Sequence, residues 1–370
     1  MNTRPSVTRG LVLSFILLAG CGNLTEHGVP ERVAFAPDGS LVVSLIGATQ
    51  FFDGDAHAIT RSVTTPVGTG AVYTPISRGH ALSADGSRFA VAAPGTVTVY
   101  AAASGSRVAS FTIDDGNQGR PTFVTAITLD GAGARLAVVT APIQLSTAPG
   151  HLRVFDVGAQ SQLLDIPHDP ARAANAAWSG GVALSSDGSI LYGAETLLAT
   201  DTAPAACFLD AWSIPDGARL WDVPVPLAPS PIHTPSFILS LSSDDTLLAG
   251  GSWDTSAIYV WHTSDGSTAT TFSDATTGLS LGIPDAFQDI RFSPDAGQLL
   301  VAFPGGPVLF GADATYLRTF VPDTNIGGGV VSAAFSPDGN RVASVFISSL
   351  ELWNLDGAVL SLRDLKGQLD

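Results

Sequence analysis

The chain is poor in lysine, cysteine and charge, and each scarcity excludes something. Lysine occurs once, at Lys366. No basic cluster can form to grip a phosphate backbone, so nucleic acid is excluded as a partner. Arginine supplies the rest of the 17 positive charges against 33 acidic ones, for a net charge of −16. Two cysteines cannot build a disulfide scaffold. Charged residues make up only 14% of the chain and hydrophobic ones 45%. That balance argues against extended disorder and leaves ample apolar side chain for a core. At 370 residues the chain suits one large domain or two ordinary ones. What it has in plenty is turn-forming residue, with 39 Gly and 24 Pro.

Arg4 and Arg9 precede an apolar run, Leu11 to Ala19, which ends in Leu18-Ala19-Gly20-Cys21. A positive end, a short apolar core and a small-residue exit form a secretory signal. The run falls short of the roughly 20 apolar residues a spanning helix needs; a buried amino-terminal helix is the competing reading. The Leu-Ala-Gly-Cys string resembles the lipobox of bacterial lipoproteins. That resemblance implies a signal peptide over 1–20, cleavage before Cys21, lipid on its thiol and new amino group, and a tether over 21–30. Several acyl chains anchor stably where one binds only marginally. Gly22, where an Asp would signal retention at the inner membrane, implies the outer membrane in a host that has one. With Cys21 acylated, Cys207 has no partner. It reads as a small buried hydrophobe, with a reactive thiol as the alternative.

From residue 31 onward the chain is periodic. A short apolar run enters a Ser/Ala-Pro-Asp-Gly-like turn and leaves into a second apolar run seven times over. The strings are FAPDGSLVV at Phe35, LSADGSRFAV at Leu82, TLDGAGARLAVV at Thr128, LSSDGSILYG at Leu184, LSSDDTLLAG at Leu241, FSPDAGQLLVA at Phe292 and FSPDGNRVAS at Phe335. Counted on Asp38, Asp85, Asp130, Asp187, Asp244, Asp295 and Asp338, the intervals are 47, 45, 57, 57, 51 and 43 residues. The turn has a mechanism: Pro pre-sets φ, the Asp carboxylate bonds backbone N–H groups just ahead, and Gly supplies the positive φ. A further strand ending in an aromatic follows in most repeats, at Tyr100, Phe155, Trp212, Trp261 and Trp353. A second turn then leads to a fourth strand. Four antiparallel strands repeated seven times predict an all-β fold, a seven-bladed β-propeller over 31–370. Two consecutive sandwiches are the alternative, and they would not keep one turn signature throughout. With four strands in order at both ends, the sequence predicts that the first and last blades meet by face packing alone.

The fifth repeat carries His233, four residues before Phe237, then Ser252, Asp254 and Trp261. These residues resemble the WD-repeat family, and the resemblance implies that the four form a hydrogen-bonded structural tetrad, stabilising only if every member is satisfied. The match is residue by residue in this repeat alone. The whole body resembles a divergent WD-repeat propeller.

Strand alternation sorts the loops onto two faces. The first-to-second and third-to-fourth turns share one face and are short. The second-to-third loops and the connections between repeats share the other and read as long: 66–79, 114–122, 143–150, 167–181, 195–206, 224–235, 273–285 and 322–329. Long loops on a rigid scaffold commonly carry function, and neutral tolerance of insertions is the competing explanation. Arg120, Phe123, His168, Arg172 and Trp178 are the candidate partner-binding residues there, because aromatics and Arg supply most hot spots. His233 and Phe287 share that face, and Trp178 and Phe287 also suit a core position beside a first strand.

No reaction is written in the chain. The seven histidines show no metal-ligand spacing, and there is no His-Glu-x-x-His helix, haem-attachment pair or Gly-x-Ser-x-Gly elbow. The 53–55 and 114–117 stretches lack the alternating oxygen ligands of a calcium loop. The reading is therefore a non-enzymatic scaffold of the bacterial cell envelope, anchored through Cys21. It is monomeric, free of cofactor and metal, and binds a protein partner through the long-loop face. The alternative is a lipid-anchored, lactonase-like hydrolase or ligand-binding enzyme using the central funnel. Such a site assembles from scattered residues and would show three or more converging carboxylates or histidines there.

Overall fold

The computed structural model describes residues 30–65, 79–115, 122–141, 150–166, 168, 172, 176–197, 205–227, 237–252, 255, 257–277, 287–322 and 329–365. The expected leader, Cys21 and the tether up to residue 29 lie outside them. Seven four-stranded antiparallel sheets follow one another along the chain, each built from four consecutive strands in sequential order. Blade 1 covers 30–64, blade 2 80–112, blade 3 123–166, blade 4 176–225, blade 5 238–272, blade 6 289–319 and blade 7 330–364. The one helix among the described residues is a single turn, Asp274–Thr277. The predicted all-β seven-bladed propeller is the fold.

Each blade is held by the same three devices. The first is the turn between its first and second strands, five residues long in every blade (36–40, 83–87, 130–134, 185–189, 242–246, 293–297, 336–340). In five blades a serine hydroxyl donates to the turn aspartate and accepts the backbone N–H that opens the next strand. Ser336, for example, donates from Oγ to Asp338 Oδ1 at 2.6 Å and accepts from the N–H of Arg341 at 2.9 Å. The same pair of bonds joins Ser83, Ser185, Ser242 and Ser293 to Asp85, Asp187, Asp244 and Asp295 and to the strand beyond. The aspartate then accepts a second bond from the N–H two residues on, as from Asn340 to Asp338. These clasps hold Asp187, Asp244, Asp295 and Asp338 below the usual carboxylate range, the serine hydroxyl being the largest cause.

Blade 3 corrects the repeat register. Asp130 is not its turn aspartate. Its N–H bonds the Arg135 carbonyl as the N–H of Ser83 bonds that of Arg88, so Asp130 stands in the serine position and Ala132 in the aspartate position. Gly133, with φ +65, supplies the left-handed residue. A Cβ there would also lie 2.8 Å from Arg88. Asp130 is buried, and burial pushes its carboxyl up although the Arg135 and Ala134 N–H groups oppose this.

The second device is a β-bulge between the third and fourth strands, placed immediately before the aromatic that ends the third. It recurs in all seven blades, before Phe52, Tyr100, Phe155, Trp212, Trp261, Phe310 and Trp353. A bulge adds local twist, and here it turns one large ring per blade into the packing layer. The third device is that layer itself: seven apolar clusters, each shared by two neighbouring blades. Blades 7 and 1 meet through Leu350 and Leu352 against Leu41 and Phe52. No strand crosses that seam among the described residues, as expected, but packing does not act alone. Arg341 Nη1 donates to the Gly54 carbonyl at 2.7 Å, Arg363 Nη1 donates to that of His57, and the Val33 N–H reaches Ser332 Oγ at 3.4 Å.

Candidate functional site

The two rims of the ring differ in chain length. On the turn rim every connection has four to six residues. On the opposite rim, blades 3, 4 and 5 are interrupted between their second and third strands by 142–151, 198–205 and 252–257, and connections of nine to sixteen residues join successive blades. The second-to-third connections expected to be long, 143–150 and 195–206, fall at blades 3 and 4, and blade 5 adds 252–257. Two-residue hairpins (46–47, 94–95, 304–305, 347–348) close blades 1, 2, 6 and 7, with Gly47 and Gly95 supplying positive φ. The interruptions between second and third strands therefore fall in one sector, blades 3 to 5.

Beneath that sector lies a partly buried ionic network. Blade 4 aligns Trp178, Glu195 and Phe208 across three strands, and Asp210 pairs with Asp222 on the fourth. Two carboxylates directly opposite each other repel. They are held by Arg172, from the connection between blades 3 and 4, which pairs with Asp222, reaches Asp210 Oδ1 at 3.6 Å and Glu195 Oε2 at 3.3 Å, and lies 3.6 Å over the Phe208 ring. Arg219 Nη1 lies 3.5 Å from Asp210 Oδ1. His168 Nδ1 is 2.6 Å from Glu195 Oε1, and its ring stacks on Trp178 at 5.1 Å. Burial pushes the Asp210 carboxyl up to about 7, outweighing the pull of Arg172, and nearby Glu195 adds to the rise. At the next interface Arg153 binds Asp115 at 2.7 Å and Asp165 at 3.1 Å, while His151 binds Asp165 at 2.9 Å.

The candidate partner-binding residues thus part company. Trp178 is 3% exposed, between His168 and Trp212, and takes a core position. His168 and Arg172 are engaged with carboxylates, so the three brace the rim from within rather than project from it. Their side chains turn inward because Glu195, Asp210 and Asp222 share one face of blade 4, the face packed on blade 3. Phe123 is half-buried at the start of blade 3, and Arg120 lies outside the described residues. Phe287 is buried. Of the WD-like tetrad, Ser252 and Trp261 are buried in blade 5, and His233 and Asp254 lie outside the described residues. Cys207 is buried, and burial raises its thiol to about 12.

Among the described residues the inner strands carry two ion-paired groups rather than one convergent set. Glu31 pairs with His80 at blades 1 and 2, where Arg32 donates to the His80 carbonyl at 2.7 Å. At blades 6 and 7, Ser332 Oγ donates to Asp289 Oδ2 at 2.6 Å and Arg291 pairs with Asp289 at 3.3 Å. Among the described residues no three His, Cys, Asp or Glu side chains form a group able to hold a metal ion.

No family model and no curated protein matches the sequence. Solved structures match the fold. The Cps50 (Swd1) β-propeller domain of Myceliophteria thermophila superposes with a TM-score of 0.66 at 12% identity, over 90% of this chain and 99% of that one. Hydrazine synthase of Kuenenia stuttgartiensis superposes with a TM-score of 0.61 at 14% identity, over 93% of this chain and 98% of that one. At such identities the likeness speaks for architecture alone: the chain is a seven-bladed, WD-repeat-like β-propeller.

Proposed function

We propose that the protein is a non-enzymatic scaffold of the bacterial cell envelope, held to a membrane by lipid on Cys21 and recruiting a protein partner through its long-connection rim. The observation that carries this reading is the inequality of the two rims. Every connection on one rim is short, whereas the other carries longer connections between all successive blades and, at blades 3 to 5, between second and third strands as well, with a charged network at the connection that carries His168 and Arg172. Irregular chain on a rigid ring is where recognition is built. The fold itself is compatible with many activities, so the site has to speak for function. Among the described residues, His168, Arg172, Glu195 and Asp222 at the rim and Glu31, His80, Asp289 and Arg291 on the inner strands are paired with one another, which supports a binding role.

Cross-linking in the native envelope, read by mass spectrometry, tests the scaffold. A reproducible protein partner cross-linked to the long-connection rim is expected, and an expressed protein that yields none sinks the reading. For the anchor, Cys21→Ser should move the chain from the membrane fraction to the soluble one, and unchanged partitioning refutes lipidation.

A further inference from the structure

The first strand of blade 1 begins at Pro30 and runs toward the 36–40 turn. The chain therefore joins the ring on the long-connection rim, at an inner strand. The nine steps from Cys21 to Pro30 can span at most about 30 Å. To reach the turn rim around the outside, that segment would cross three strand spacings and then the length of a strand, roughly 32 Å before it rounds any side chain. A path down the central channel is shorter, but it would set the turn rim against the lipid. That rim carries the clasp aspartates, four of them held well below the usual carboxylate range by serine hydroxyls and therefore ionised. Anionic headgroups repel such a surface. Between the two rims, the exposed apolar side chains favour the long-connection one. Among the described residues nine large hydrophobics are exposed, and seven of them lie on the outermost strands of the blades. The two in connections, Val321 and Ile347, both sit on the long-connection rim.

We infer that the anchored ring presents its long-connection rim to the lipid surface and its acidic turn rim away from it. This rests on the lipid anchor proposed above. A partner recruited by the long-connection rim is then met in the layer between ring and bilayer.

The test uses the full lipidated chain on vesicles of phosphatidylethanolamine and phosphatidylglycerol bearing a headgroup-linked quencher. Cys21 carries the lipid and Cys207 is buried with its thiol raised to about 12, so a fluorophore reports a single introduced cysteine. Ile347→Cys and Val321→Cys mark the long-connection rim; Ala103→Cys and Ala159→Cys mark exposed turn-rim positions. Several-fold stronger quenching is expected for the first pair, and two sites per rim protect against one variant that fails to fold. Equal or reversed quenching on protein that sediments with the vesicles overturns the orientation alone. Protein that does not sediment with them overturns the anchor and the orientation together.

Discussion

The turn rim and the long-connection rim are stabilised by opposite means. On the turn rim, each clasp aspartate stays near water and is satisfied by a serine hydroxyl and an N–H two residues to either side of it. On the long-connection rim, Glu195, Asp210 and Asp222 come from three strands, the first two buried and the third at the surface, and share Arg172 from a connection outside the sheet. Local satisfaction makes the first rim repetitive and tolerant. Shared satisfaction makes the second cooperative and fragile, because one cation serves three carboxylates.

Removing that cation is the hardest blow to the comparison. Arg172→Ala leaves Glu195, Asp210 and Asp222 without it and should cost about 3–5 kcal/mol in denaturant titration. A loss below 1 kcal/mol would mean that the rim is not built around it. Titration separates the rims next. The native Asp210 carboxyl, at about 7, lies above its unfolded value of 3.8. Its contribution to stability is thus full below about pH 4 and lost as the pH rises through 7. The clasp aspartates are shifted downward, so their contribution is present above pH 4 and lost as the pH falls through their native values. Asp210→Asn should flatten stability between pH 4 and 7 and leave the acid limb intact, as followed by thermal midpoints across pH.

Smaller effects belong to the turn rim. Ser336→Ala removes one donor and one acceptor from a buried clasp and should cost about 1–2 kcal/mol, readable as a lowered denaturation midpoint. Smallest is Ala296→Gly. Ala296 holds φ +57 where Gly339 holds +71 in the neighbouring blade. Relief of that conformation, less the added freedom of the unfolded chain, should stabilise the fold by about 0.5–1 kcal/mol. Gly339→Ala should destabilise by a similar amount, and a shift of the same sign for both would discard the left-handed explanation.

The architecture was legible because its determinants are local. Turn aspartates, apolar flanks and terminal aromatics all lie within a few residues of one another, and they recur. Even so, Leu129-Asp130-Gly131 imitates the turn. The better signal was Gly133, which stands two residues before Arg135 as Gly339 stands two before Arg341. Phe52 and Phe310 escaped notice as ring positions because the bulge that presents them belongs to strand pairing. The braced sector was illegible for a stronger reason. Glu195 reads as the start of a loop, yet the second strand of blade 4 runs on to Leu197, and only the pairing of Trp178 with Glu195 and of Glu195 with Phe208 brings these residues onto one face. His168 and Arg172 were legible as notable residues but not as internal braces, since their carboxylates lie 23 to 50 positions away.

The seam between blades 7 and 1 carries one more implication. It is an apolar cluster of the same kind as the other six, and the strands flanking it, ending at Asp364 and beginning at Pro30, open onto the same rim as every connection between blades. No blade is privileged as the first. A linker like those of nine to sixteen residues already joining the blades could fuse 365 to 30, and the backbone could be cut instead at 273–288, giving a circularly permuted ring with its termini moved to another sector.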